Sequence, residues 1–166
     1  IIPSIIILPR HVLGGKGYTS PSDKLNIAGI GVRKWGMGSG NLSNCETENI
    51  GALCDVDHKL SAETFNKYPK AKVYKDFRVM LETQKDIDAV IVATPDHTHA
   101  IISMMSIKLG KHVFCQKPLT HTVYEARVIT ETARKYKVQT QMGNQGRSSE
   151  EIRRLKEWID DGAIGP

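Results

Sequence analysis

Several things are scarce in this sequence, and each scarcity excludes something. Cysteine occurs three times in 166 residues, at Cys45, Cys54 and Cys115. An odd number without C-x-x-C spacing makes neither a disulfide framework nor a zinc site, so the three read as buried thiols. No apolar run is long enough to cross a bilayer, which takes about 20 residues; IIPSIIILP at the N-terminus is far shorter and is broken by proline. Histidines are scattered apart from His97 and His99, an H-x-H pair that has no third and fourth ligand beside it, so no metal site is expected. The formal net charge is +5, yet the basic residues (Lys67, Lys70, Lys72, Lys75; Arg134, Lys135, Lys137) are dispersed and not gathered with aromatics. That pattern argues against nucleic acid and suits an anionic small ligand. Repeats and low-complexity tracts are missing too. What is present, 40% hydrophobic and 25% charged residues, is the composition of a soluble globular domain with one core.

Three stretches differ in character. Residues 1–23, apolar and then glycine-rich (RHVLGGKGYTSPSDK), read as the remnant of a secretory signal or as an edge strand, and in both cases lie outside the main fold. Residues 24–147 alternate short apolar runs (LNIAGIG, NIGALC, KVY, DAVIVA, KHVFC, VQTQM) with segments of helical period. AVIVA is apolar at every position, as a strand covered on both faces must be. Thr122-x-x-Glu125 is a capping box ahead of an apolar stripe of Val123, Ala126, Ile129 and Ala133. Asp76 caps the shorter helix FRVMLE. Residues 148–166 repeat the capping device, Ser148-x-x-Glu151, before Ile152, Leu155 and Ile159. Six strands alternating with helices predict an α/β fold, a doubly wound parallel sheet of the Rossmann type.

Such sheets bind ligands beyond the carboxyl ends of their strands, so each end is informative. The first strand runs into GIGVRKWGMG, Gly29 to Gly38. Gly29 permits a tight turn and Gly31 lets backbone approach a pyrophosphate, but the third glycine arrives at Gly36, two residues late. The second strand ends at Asp55, where an acid accepts hydrogen bonds from an adenosine ribose and repels a 2′-phosphate, favouring NAD over NADP. The fourth ends in ATPDHTHA: Thr94 and Pro95 with His97 and His99 in the following turn lie along the cofactor, local capping by His99 being the alternative. The fifth ends in CQKPL, where Gln116 and Lys117 sit at the cleft; Lys117, fixed by the following proline, can reach a sugar hydroxyl and the nicotinamide ribose, or stay in solvent as most lysines do. The sixth leads to Asn144 and Gln145 at the same edge.

The series GIG, CDVD, ATPDHTHA and CQKPL, in this order and spacing, resembles the Gfo/Idh/MocA oxidoreductases, over about Lys24 to Pro166. The resemblance implies an NAD-dependent enzyme that moves a hydride between nicotinamide and a sugar or cyclitol carbon, the full-length protein being a homo-oligomer. It places Gly29 and Gly31 at the pyrophosphate and Asp55 on the adenosine ribose, with Gly36 and Met37 also binding the cofactor. Thr94, Pro95, His97, His99, Gln116 and Asn144 fall along the rest of the cofactor. Lys117 becomes the lysine of the family's Glu-Lys-Pro motif, the catalytic residue, working with a histidine or aspartate from a second domain. Within the family the N-terminal stretch resembles exported members with a twin-arginine signal, although no twin arginine is present; a periplasmic protein is implied, with a cytoplasmic one as the alternative.

The chain departs from the pattern in three respects. Gln116 stands where the family usually has glutamate. Arg33, Lys34 and Trp35 enlarge a loop that would read closer to GIGVGGMG, and Trp35 must swing outward or block the site. The family's second domain, which supplies substrate contacts, would follow GAIGP, so residues 148–166 are expected to be a linking helix toward it. Two further functions share this fold and stay open: an NAD-dependent glycosidase working by oxidation, elimination, hydration and reduction, and a non-catalytic nucleotide- or sugar-binding module.

Overall fold

The computed structural model describes residues 19–163 together with Val12, Gly14–Lys16 and Gly165. The apolar run IIPSIIILP, expected to be a signal remnant or an edge strand, therefore lies outside the described residues. Each apolar run of the sequence forms a strand: β1 (Asn26–Ile30), β2 (Asn49–Cys54), β3 (Lys72–Tyr74), β4 (Ala89–Val92), β5 (His112–Gln116) and β6 (Thr140–Gly143). All neighbours pair in parallel, in the order β3-β2-β1-β4-β5-β6. The order reverses direction between β1 and β4, and there the connections leave on opposite faces and open a crevice at the carboxyl edge.

Helices alternate with the strands: α1 (Met37–Ser43), α2 (His58–Lys67), α3 (Phe77–Thr83), α4 (His99–Lys108), α5 (Val123–Tyr136) and α6 (Glu150–Asp160). Strand alternation divides the core in two. Ala28, Ile30, Ala52, Cys54, Val90, Val92, Val113 and Cys115 face one side, where Met80 and Leu81 of α3, Ile102 and Ile107 of α4, and Ile129 and Ala133 of α5 cover them. Ile27, Leu53 and Ile91 face the other side, closed by Leu42 of α1 with Phe65 of α2 packed against the cluster. Filling both sides explains why AVIV carries no polar residue. The side toward β5 and β6 remains a shallow groove of about 590 Å³, bordered by Cys45, Ile91, Phe114 and Gln141.

Local signals decide the helix starts. The Thr122 capping box is complete: its hydroxyl accepts from the Glu125 amide at 3.2 Å and the Glu125 carboxylate accepts from the Thr122 amide at 2.9 Å. Asp76 caps α3 through the Arg78 amide at 2.9 Å. Two expectations need correction. Val123 is 70% exposed, because the first turn of α5 overhangs the sheet, and the buried stripe begins only at Ile129. Ser148 does not cap the last helix. Gln145–Ser148 forms a 3-10 turn, so Ser149 becomes the cap, accepting from the Ile152 amide, and no carboxylate stands at the position a reciprocal box would need. Helix α6 buries none of its residues; Ile152, Leu155, Trp158 and Ile159 are all about half exposed.

Candidate functional site

The crevice at the carboxyl edge is a cleft of about 820 Å³ that runs from the ends of β2 and β3, past the β1 turn, to the ends of β4 and β5. Its floor is the glycine loop. Gly31 has φ +82°, and a Cβ there would sit 2.6 Å from the Ala93 carbonyl oxygen, so only glycine fits. Gly29 does not line the cleft; its missing side chain makes room for Val32 and Leu42, whose methyls would lie 2.7 and 2.9 Å from an added Cβ. The packing expected of a third glycine falls on Gly38. Its backbone comes so close that a Cβ would be 2.1 Å from the Gly31 carbonyl oxygen, the tightest such approach among the described glycines. Gly36 instead caps α1 at its N-terminus. The spacing that is two residues late at Gly36 is resolved two residues further on, and the adjoining Met37-Gly38, as in GIGVGGMG, was the signal for it.

The enlarged loop is tied to α2 at one edge of the cleft, where Arg33 and Trp35 help to line it. The Lys34 amide donates to the Leu60 carbonyl at 3.0 Å, and the Lys34 ammonium pairs with Glu63 on α2 and lies 5.0 Å from the Trp35 ring centroid. Trp35 takes a left-handed φ of 60° and is 89% exposed at the rim. Of the two alternatives for this side chain, it adopts the outward one.

At the β2 end, Asp55 has a second task that its position alone did not reveal. One carboxylate oxygen accepts from the Val32 amide at 2.8 Å, tying the glycine loop to β2, and the other accepts from the Asp57 amide at 3.0 Å. Asp57 in turn caps α2 through the amides of Lys59 and Leu60. Each carboxylate oxygen has a further lone pair, so the aspartate can still accept from a ligand hydroxyl. Cys54, at the end of the same strand, carries a thiol pushed up to about 12 by burial and then by the nearby carboxylates of Asp55 and Asp76. It is therefore no nucleophile. Burial likewise raises Cys115 to about 11.

At the β4 end, Thr94, Pro95 and His99 line the cleft and His97 does not. The Thr98 hydroxyl donates within the turn, 2.7 Å from both the Thr94 hydroxyl and the Pro95 carbonyl. His99 is buried, with Nδ1 2.6 Å from the Pro118 carbonyl and Nε2 2.9 Å from the Thr94 carbonyl. Carbonyls only accept, so whichever ring nitrogen carries a proton donates to the carbonyl it faces. His99 is thus a clasp between the β4 turn and the Lys117-Pro118 step. Beyond it, Lys117 is exposed at the cleft, and Gln116 is 4% exposed with neither amide atom hydrogen-bonded. Asn144 is exposed and stands outside the cleft, and Gln145 borders the groove on the sheet face. Sequence reading missed Lys75 and Phe77, which line the cleft after β3; the end of that strand was the signal. Among the described residues no cluster of three or more His, Cys, Asp or Glu could hold a metal ion, and no helix is long and apolar enough to cross a membrane.

A cradle that only glycine can line, an acid at the second strand and an orphaned polar group at the fifth fit a dinucleotide. Comparison with known proteins agrees. Residues 25–144 match the oxidoreductase family with NAD-binding Rossmann fold, GFO_IDH_MocA. The chain is 30% identical over 148 residues to an inositol 2-dehydrogenase of Salmonella paratyphi B, covering 86% of this chain and 43% of that protein. It is 31% identical over 114 residues to a D-glucoside 3-dehydrogenase of Escherichia coli, covering 69% and 32%. A crystal structure of a probable dehydrogenase from Thermotoga maritima superposes with a TM-score of 0.70 at 30% identity, covering 85% of this chain and 42% of that one. The chain thus spans less than half the length of each of these relatives. It belongs to the Gfo/Idh/MocA oxidoreductase family and folds as that family's NAD-binding Rossmann domain.

Proposed function

We propose that this chain is the cofactor half of an enzyme that transfers a hydride between nicotinamide and a hydroxyl-bearing carbon of a sugar or cyclitol. The observation that carries the reading is one continuous cleft joining Asp55 at the end of β2 to Gln116 and Lys117 at the end of β5, across the switch point. The similarity to an inositol dehydrogenase and a glucoside dehydrogenase supports the substrate class.

In this reading Gly31, Gly36 and Met37 lie along the pyrophosphate, Asp55 accepts from the adenosine ribose, and Thr94 and Pro95 flank the middle of the cofactor. The Asp55 carboxylate favours NAD over NADP because it would repel a 2′-phosphate. Bound there, nicotinamide supplies the hydride acceptor. Lys117, steadied by the His99 clasp on the next peptide, donates a hydrogen bond to the reacting oxygen and stabilises the charge that grows there as its proton leaves. The proton goes to a base outside this stretch of chain. The apolar and then glycine-rich residues 1–23 support export of the protein.

The test is turnover of the full-length protein with NAD, a panel of inositols and free sugars, and aryl glycosides. NADH formation on a polyol, lowered at least about 100-fold by Lys117→Met, supports the proposal. Release of the aryl group with no net NADH would assign the glycosidase instead.

A further inference from the structure

Gln116 is the one buried residue of the cleft with unspent hydrogen-bonding capacity. Its side chain is 4% exposed, both Nε2 and Oε1 lack partners, and it lines the cleft at the end of β5. It is seated by packing: a Cβ on Gly143 of β6 would lie 2.8 to 3.0 Å from its amide atoms, so glycine leaves the space the amide occupies. Two other polar side chains that line the cleft, His99 and Thr98, are already engaged. Both His99 nitrogens face carbonyls and the Thr98 hydroxyl is directed to Thr94 and Pro95. A buried amide left unpaired is costly, and a native site that tolerates one points to a group that arrives later.

The position narrows what that group is. With the adenosine half over β1 and β2, where Asp55 sits, the second nucleotide lies over β4 and β5. An amide offers one donor and one acceptor side by side in a fixed plane. A ribose or sugar diol, with two rotating hydroxyls, is matched better by a carboxylate. A primary carboxamide, itself planar with one acceptor and one donor side by side, is matched by another amide.

We propose that the Gln116 amide pairs with the carboxamide of the nicotinamide ring, its N–H donating to the ligand carbonyl and its own carbonyl accepting from the ligand amino group. This rests on the dinucleotide reading above. Gln116 is then a positioning residue: it fixes the rotation of the nicotinamide and so which face of the ring meets the substrate.

The test is calorimetric titration of the protein and of Gln116→Met with NAD, with 3-acetylpyridine adenine dinucleotide, which keeps the carbonyl but replaces the amino group by methyl, and with ADP-ribose, which lacks the ring. The wild type should bind NAD about tenfold more tightly than the acetylpyridine analogue, the worth of one hydrogen bond. The methionine variant should lose that preference and weaken toward NAD by at least about tenfold, with ADP-ribose unchanged. Gln116→Glu keeps the shape and the acceptor, so it should retain the preference while losing part of the NAD affinity; it serves if the methionine variant does not fold. A wild type that binds both dinucleotides equally overturns the proposal. So does a methionine variant that keeps the preference or loses ADP-ribose in the same proportion as NAD, or a glutamate variant without the preference. A wild type that binds no ADP-ribose would overturn the dinucleotide reading itself.

Discussion

At the β1–β2 end of the cleft the polar groups satisfy one another before any ligand arrives: Asp55 holds the Val32 and Asp57 amides, and Lys34 holds Leu60 and Glu63. At the β4–β5 end His99 satisfies the backbone in the same way, but Gln116 satisfies nothing. One end is a preformed seat whose cost of ordering is met in folding. The other keeps a polar group in reserve, so its hydrogen bonds are made only when the site fills. Preformed geometry favours affinity, and a reserved group favours discrimination, because a ligand lacking the complement leaves it unpaired.

The contrast can be broken from either end. Gly38→Ala should have the largest effect, since its Cβ would enter the Gly31 carbonyl: a loss of about 3 kcal/mol of stability, at the upper side of overpacking costs, together with loss of nucleotide binding, read by thermal denaturation and calorimetry. His99→Phe comes next. It removes the ring nitrogens that face the Thr94 and Pro118 carbonyls, for about 2 kcal/mol, and should loosen Lys117 more than the glycine loop. Amide hydrogen exchange would rise around residues 94–99 and 116–119 and not around 31–38. Asp55→Asn sharpens the contrast: an amide cannot accept on both sides, so about 1.5 kcal/mol is lost, and NAD affinity should fall more than NADP affinity. Trp35→Ala should be the smallest, within about 0.5 kcal/mol by chemical denaturation, because the ring is 89% exposed. A large loss there would mean the loop packs inward.

The sequence made the sheet legible because burial on both faces writes itself as uninterrupted apolar runs, and six of these gave six strands. Caps that rest on one side chain and the next turn, Thr122 and Asp76, were readable for the same local reason. Ser148 was not, because a 3-10 turn of Gln145–Ser148 displaced the helix start by one residue, to a serine that has Ile152 and not a carboxylate three residues on. Gly38 was overlooked because which glycine must lie against a carbonyl depends on how α1 docks on β1 and β4. Asp55 was found as an acid at a strand end, but its bonds to two amides belong to the folded loop. Gln116 was noticed as an unusual residue in its place; that its amide has no partner could be known only once its neighbours were assembled around it.

The enlarged loop is expected to leave a working dinucleotide cradle. Titration of NAD into this 166-residue protein tests it most directly. Saturable binding that Asp55→Ala weakens is the expected result. No heat of binding at millimolar NAD, from a protein that melts cooperatively, would contradict it.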